Sequence, residues 1–316
     1  MSDKHRIGQN HGKDVTDMKE TLKAVLEYLP QPVRRSVEAL PLLQQDTIQE
    51  IRLRCGRPVT VTVSGRDQFL TPEGGLTLRS AESLTASRDD LNRSFQAVVS
   101  YSVYSHEQDV AEGYVTIKGG CRVGICGTAV RLGEHLQNVR AVAGLNFRIA
   151  GAYPGIAQAV YQQSAGRSVL IAGPVGSGKT TFLRDLARLT GNTRRTAVVD
   201  ERGELAAVVR GMPQNDVGVL TDVLDSYPRA AGILTALRVL SPACIVCDEI
   251  STMQDADAIL QAAGCGVQFL ASAHAGSLEA LQERPVLRPL FEAEVFSDVV
   301  LLQAGKVRAL RRLTKS

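Results

Sequence analysis

Tryptophan is missing from the 316 residues, and phenylalanine and tyrosine together make up only 4% of them. A groove that stacks single-stranded bases needs aromatic rings interleaved with cations, so the shortage of rings argues against a nucleic-acid partner. Charge argues the same way. Lys and Arg number 36 against 33 Asp and Glu, a formal net charge of +3, and attracting a polyanion would take a local basic patch. The basic cluster "KVRALRRLTK", Lys306 to Lys315, reads most simply as a solvated edge. No apolar run approaches the roughly 18 residues of a membrane span, and "MSDKHRIGQNHGKDVTD" has no apolar core of the kind a signal peptide carries. The chain is therefore expected in the cytoplasm, associating with a membrane through partners only. Cysteine is sparse as well. Six residues need no disulfides, and the C-x-x-C of Cys244 and Cys247 lies in the apolar strand pattern "ACIVCDEI". Side chains alternate along a strand, so the two thiols point to opposite faces and cannot grip one metal. The same objection holds for Cys121 and Cys126, and buried core cysteine is the expectation for both pairs.

What is present divides into two patterns. Residues 1–16 are polar and patternless and are expected to be a disordered tail. In "DMKETLKAVLEYLP", Asp17 and Glu20 have capping-box spacing, Leu22, Val25, Leu26 and Leu29 share one face, and Pro30 ends the helix. A second short helix is expected after Pro32. Short strands alternate through "IQEIRLRCGRPVTVTVSGRDQFL", with turn residues at Gly56, Pro58 and Gly65. "DDLNRSFQAVVSYSVYSHEQDVAEG" reads as a helix, "YVTIKGGCRVGICGTAVRL" as a hairpin about Gly119 and Gly120, and "NVRAVAGLNFRIAG" as a further strand. Residues 17–150 are thus expected to form a smaller α+β domain. A hinge is expected at "AGAYPG", with Gly151, Pro154 and Gly155. From 151 to 316 the pattern changes to apolar strands ("SVLIAG", "TAVVD", "CIVCDEI", "VQFLASAH") alternating with helices, and a closing hairpin about Gly305. That is α/β spacing, and it predicts a largely parallel sheet with helices on both faces.

The stretch "VLIAGPVGSGKTTFLRDLARL" carries the chemistry. Gly173, Gly178, Lys179 and Thr180 satisfy G-x-x-x-x-G-K-[ST], the phosphate-binding loop, between a strand and a helix. Backbone N–H groups from Gly173, Pro174, Val175, Gly176, Ser177, Gly178, Lys179, Thr180 and Thr181 (Pro174 supplying shape rather than a donor) would wrap the phosphates of ATP. The positive end of the helix faces the same anion. Lys179 would reach the β- and γ-phosphates, and the Thr180 hydroxyl would ligate Mg²⁺. An apolar strand ending in Asp248-Glu249 has the Walker B form: Asp248 would hold Mg²⁺ and Glu249 would deprotonate the attacking water. A passive binder would need the metal ligand but no base beside it, so hydrolysis is preferred. In "TAVVDERGELA" the acids Asp200, Glu201 and Glu204 follow a strand. They could join the metal shell or compete with Glu249 as base, or they could simply suit a helix N-terminus. His274 ends another strand, where open α/β sheets bind ligands, and suits a γ-phosphate sensor or relay. For an arginine reaching a neighbouring subunit's phosphate, Arg122, Arg140, Arg148, Arg229 and Arg238 are candidates; Arg140 and Arg148 are preferred because they precede the hinge.

"EIRLRCGRPV", "SVLIAGPVGSGKTTFLRDLAR", "VVDERGEL" and the long block "GMPQNDVGVLTDVLDSYPRAAGILTALRVLSPACIVCDEI" resemble, in order and spacing, the stage III sporulation protein AA family of endospore-forming bacteria. That family is itself similar to the ring-forming ATPases of type II and type IV secretion. The resemblance implies a RecA-like P-loop ATPase, hexameric, working from the mother-cell cytoplasm to energise or assemble a membrane channel complex through small membrane proteins. It also implies that Gly173 to Thr180 are Walker A, Asp248-Glu249 Walker B, Glu201 and Glu204 the acidic box, and His274 the histidine of an "AH" element. Leu220 where arginine is expected, Ser251 where "DEIG" is usual, and Ala275 in place of glycine after the histidine are departures. Two other readings stay open: a RecA-like nucleic-acid-binding ATPase, and a non-hydrolysing, nucleotide-gated scaffold.

Overall fold

A computed structural model of the chain describes residues 20–99, 113–132, 135–149, 151, 153–164 and 166–313. The expected tail 1–16, the capping residue Asp17 and the second half of the helix expected from Asp89 onward lie outside the described residues. The chain divides into two compact units, residues 1–150 and 151–316.

The first unit begins with three helices: α1 (Glu20–Leu26), α2 (Gln31–Glu38) and α3 (Leu42–Gln45). Pro32 sits in the first turn of α2, where its missing N–H costs nothing; the helix therefore starts before the proline rather than after it. The strands are β1 (Ile48–Arg54), β2 (Arg57–Pro58), β3 (Thr60–Val63), β4 (Arg66–Leu70), β5 (Leu76–Thr77), β6 (Thr85–Ala86), then, after α4 (Arg88–Val99), β7 (Tyr114–Ile117), β8 (Cys121–Leu132) and β9 (His135–Arg148). Seven of them form an antiparallel sheet in the order β5-β4-β3-β1-β9-β8-β7, and β2 pairs with β6. Period-two alternation puts Ile51, Leu53, Leu145 and Phe147 into one core with Leu22, Val33 and Leu91 of the helices. Glu50, Arg52 and Arg54 alternate with them on β1.

In the second unit the elements are α5 (Gln158–Ser164), β10 (Val169–Gly173), α6 (Lys179–Gly191), β11 (Thr196–Asp200), the short pair β12 (Val208–Val209) and β13 (Met212–Pro213), and β14 (Thr221–Asp225). They continue with α7 (Arg229–Val239), β15 (Cys244–Cys247), α8 (Met253–Gly264), β16 (Gln268–His274), α9 (Leu278–Gln282), α10 (Arg288–Glu292), β17 (Asp298–Gln303) and β18 (Lys306–Arg312). The sheet order is β14-β11-β15-β16-β10-β17-β18, parallel throughout except for the closing β17–β18 hairpin. β10, β11 and β15 are buried along their whole length because helices cover both faces. Phe182 and Leu183 of α6 and Val160 of α5 pack on one side, and Ile233 of α7 and Ile259 of α8 on the other. Cys244 belongs to the first of these cores and Cys247 to the second. All six cysteines are free, and burial pushes the Cys247 thiol up to about 12 and that of Cys244 higher still. Edge strand β14 is half-exposed and partly polar, which hides it in the sequence. No helix among the described residues is long and apolar enough to cross a membrane.

Candidate active site

The carboxyl ends of β10, β11, β15 and β16 meet at one edge of the parallel sheet, the place where such sheets bind ligands. At the end of β10 the chain must turn inside a space that admits no side chain. A Cβ on Gly173 would lie 2.4 Å from the Ser177 hydroxyl and 2.7 Å from the Leu302 carbonyl. Gly178, at φ 89°, takes the left-handed conformation from which α6 starts. The loop between them is exposed at Pro174, Val175 and Gly176. It is anchored from behind, where Gly305 of the β17–β18 turn donates its N–H to the Ser177 carbonyl at 3.0 Å. The Ser177 hydroxyl is buried and has no hydrogen-bond partner among the described residues.

Lys179 is buried at the start of α6. Its ammonium donates to the carbonyls of Gly173 (3.0 Å) and Pro174 (2.9 Å) and lies 3.0 Å from Nδ1 of His274. An ammonium only donates, so Nδ1 is the acceptor and the neutral ring carries its proton on Nε2. That nitrogen is 3.2 Å from Oε1 of Glu249. The other oxygen of Glu249 takes Arg202 at 3.1 Å. Burial pulls the Lys179 ammonium below the ordinary lysine range, although Asp248 and Glu249 act to raise it. One residue on, the Thr180 hydroxyl donates to Oδ2 of Asp248 at 2.7 Å. Ser272 completes the arrangement: its hydroxyl bonds Oδ1 of Asp248 and accepts the backbone N–H of Glu249 at 3.0 Å. Glu249 has φ 54°, a left-handed conformation rare for a residue with a side chain. Lys179, Thr180, Asp248, Glu249 and His274 thus come together as one connected network.

Asp200, Glu201 and Glu204 after β11 line one small cavity with Asp248 and Glu249, and each takes further partners of its own. Asp200 is buried, and its carboxylate accepts three backbone N–H groups, from Glu204 (2.8 Å), Leu205 (3.0 Å) and Ala206 (2.7 Å). Burial raises its carboxyl above the ordinary range even though those bonds oppose the shift. Glu201 is bound to Arg229 at 2.8 Å, and Arg229 reaches Asp255 at 2.9 Å with its other nitrogen. Asp255 in turn caps α8 from the N–H groups of Ser251 (3.1 Å) and Thr252 (3.0 Å). Burial acts to raise the Asp255 carboxyl, but those N–H groups and Arg229 together hold it below the usual carboxylate range. Serine at 251 therefore belongs to the cap of α8. The Glu204 carbonyl accepts from Arg184 at 2.6 Å.

Of the five arginines singled out in the sequence, Arg229 is buried and engaged inside its own unit, which removes it from the candidates for contact with a neighbouring molecule. Arg238 is exposed on α7. In the first unit, Arg122 lies over the Tyr114 ring at 4.7 Å, Arg148 is 3.4 Å from Glu50, and exposed Arg140 stands opposite Thr128 in the β8–β9 ladder. Leu220 is 46% exposed. Sequence reasoning gave no role to Ser272 or to Arg202 on Glu249. Ser272 had a signal: it precedes His274 by two on a strand and so shares its face.

Solved structures of other proteins share this fold. The pilus retraction motor PilT, solved with bound ADP, matches 88% of this chain and 80% of its own with a TM-score of 0.55 at 16% identity. The ATPase DotB of Legionella pneumophila matches 87% and 77% with a TM-score of 0.54, also at 16% identity. In sequence, residues 18–311 match the family described as sporulation stage III, protein AA. Stage III sporulation protein AA of Bacillus subtilis (strain 168) is 35% identical over 294 residues, 90% of this chain and 92% of that one. The chain belongs to the sporulation stage III protein AA family.

Proposed function

We propose that this protein is a Mg²⁺-dependent ATPase whose second unit is a RecA-like domain. It would work as a homo-hexamer on the cytoplasmic, mother-cell side of a membrane, energising or assembling a channel complex with small membrane proteins during endospore formation. The single observation that carries the catalytic reading is the network joining Lys179, His274 and Glu249 beside the Thr180–Asp248 pair. Membership of the family supports the sporulation setting, and the fold shared with PilT and DotB supports the motor type.

The loop suits a phosphate chain. Its glycines leave room for close approach, the Ser177 hydroxyl is a buried donor without a partner among the described residues, and Lys179 brings a cation to the same place. The Thr180 hydroxyl and the Asp248 carboxylate are paired hard oxygens of the kind Mg²⁺ takes. When bound, Mg²⁺ neutralises charge that develops on the β- and γ-phosphate oxygens. Lys179 exchanges the two loop carbonyls for phosphate oxygens, and that exchange frees His274 to respond to the terminal phosphate. Glu249 accepts the proton of the attacking water. Its two contacts use two of about four lone-pair positions, so acceptor capacity remains while Arg202 and His274 fix its orientation. Ser272 holds Asp248 and the Glu249 backbone in register. Glu201, bound to Arg229, and Glu204 line one small cavity with Asp248 and Glu249 and stay beside the base.

The test is Mg²⁺-dependent phosphate release from ATP by wild type, Lys179→Ala and Glu249→Gln. Both variants should lose at least about 100-fold in rate, Lys179→Ala with loss of nucleotide binding and Glu249→Gln with binding retained. Equal release by all three proteins overturns the reading.

A further inference from the structure

The basic hairpin at residues 306–312 reads in the sequence as a solvated edge, and one of its residues is built differently from the others. Along the β17–β18 ladder Leu301 faces Ala309 and Leu302 faces Val307, so Arg308 is the extra residue of a β-bulge. Bulges re-aim a side chain, and they are over-represented beside active sites. This one puts Arg308 on a cavity of about 200 Å³ together with Gly173 and Pro174 of the loop and Ala275 and Gly276, which follow His274. The carbonyls of Gly173 and Pro174 are the two that hold the Lys179 ammonium. Arg308 and Lys179 therefore flank the same two residues from different elements. The hairpin is fixed at this distance by the bond from Gly305 to Ser177. Arg312 on the same strand is 3.6 Å from Asp298, whereas Arg308 forms no ion pair among the described residues.

We propose that Arg308 is a phosphate-contacting residue of the nucleotide site, supplied from the same chain, and that the cavity at the bulge receives the terminal end of a nucleoside triphosphate. The proposal rests on the nucleotide reading given above. Leu301, Leu302 and Gln303 complete the lining, which offers one guanidinium and no aromatic ring to stack a base, so the polyphosphate is the part of the ligand that Arg308 suits. A guanidinium can take two oxygens of one phosphate at once. The bulge gives the site a second cation without calling on a neighbouring subunit.

The experiment compares wild type, Arg308→Gln, Arg308→Lys, Arg311→Gln and Lys179→Ala by calorimetry with a non-hydrolysable ATP analogue, ADP and AMP, all with Mg²⁺. Circular dichroism confirms that each variant is folded. Arg308→Gln should weaken the triphosphate about tenfold and AMP less than twofold, Arg308→Lys should recover part of the loss, and Arg311→Gln on the same strand should match wild type. Triphosphate affinity within twofold of wild type in Arg308→Gln overturns the proposal. So does an equal loss for all three nucleotides, because it places the contact on the base or sugar. If wild type itself binds none of them, the nucleotide reading falls and takes this proposal with it. Loss in Lys179→Ala alone leaves that reading standing and removes only Arg308.

Discussion

β11 and β15 are neighbouring parallel strands, and each leads into an acidic pair, Asp200-Glu201 and Asp248-Glu249; the two pairs line one cavity yet meet different partners. After β15 the carboxylates meet side chains that can be exchanged for a ligand: a threonine hydroxyl, a serine hydroxyl, a histidine and an arginine half out in solvent. After β11 they meet groups with nowhere else to go. Asp200 closes a turn by taking three backbone N–H groups, and Glu201 is held by an arginine that is itself buried. An acid at a strand end is thus not yet a site; the kind of donor facing it decides.

That contrast can be broken in order of effect. Glu249→Gln should lower the rate of ATP turnover about 10³-fold while moving the melting temperature little, as read by single-turnover phosphate release and calorimetry. Asp200→Ala should do the reverse. It leaves three backbone donors without their acceptor and should cost about 3 kcal/mol of stability, seen in urea unfolding, with residual turnover in the folded fraction. A large rate loss in folded Asp200→Ala would erase the distinction between the strand ends. Glu201→Gln should be the mildest, about 0.5 kcal/mol, because its carboxylate is 39% exposed and Arg229 keeps Asp255. A rate loss there comparable with Glu249→Gln would return Glu201 to the role of base. A pH titration sharpens the same picture. The Lys179 cation is lost on raising pH earlier than an ordinary lysine's, since burial lowers its folded value. Nucleotide affinity should therefore fall as pH rises through that lowered range, and Lys179→Arg, which stays charged, should flatten the fall.

Much of the second unit is visible in the sequence for a simple reason. Strands buried on both faces are written as unbroken apolar runs, and "VLIAG", "TAVVD" and "CIVC" read directly. The phosphate loop is legible because its glycines answer a steric demand that no other residue meets. Edge strand β14 is not, since half of it faces water and its composition carries no pattern. The clamp of Arg229 on Glu201 and Asp255 joins residues 54 positions apart, and local spacing holds no trace of it. The β-bulge at Arg308 is equally silent, because one extra residue in a ladder appears only once both strands are paired.

The left-handed backbone at Glu249 has a cost of its own. A residue with a Cβ gives up roughly 1 kcal/mol to sit there; glycine would escape that strain but lose more chain entropy on folding. On the ATPase reading proposed above, glycine at 249 would relieve the strain and remove the base together with its contacts to Arg202 and His274. Glutamate there keeps a carboxylate between Arg202 and His274 while the backbone bears the strain.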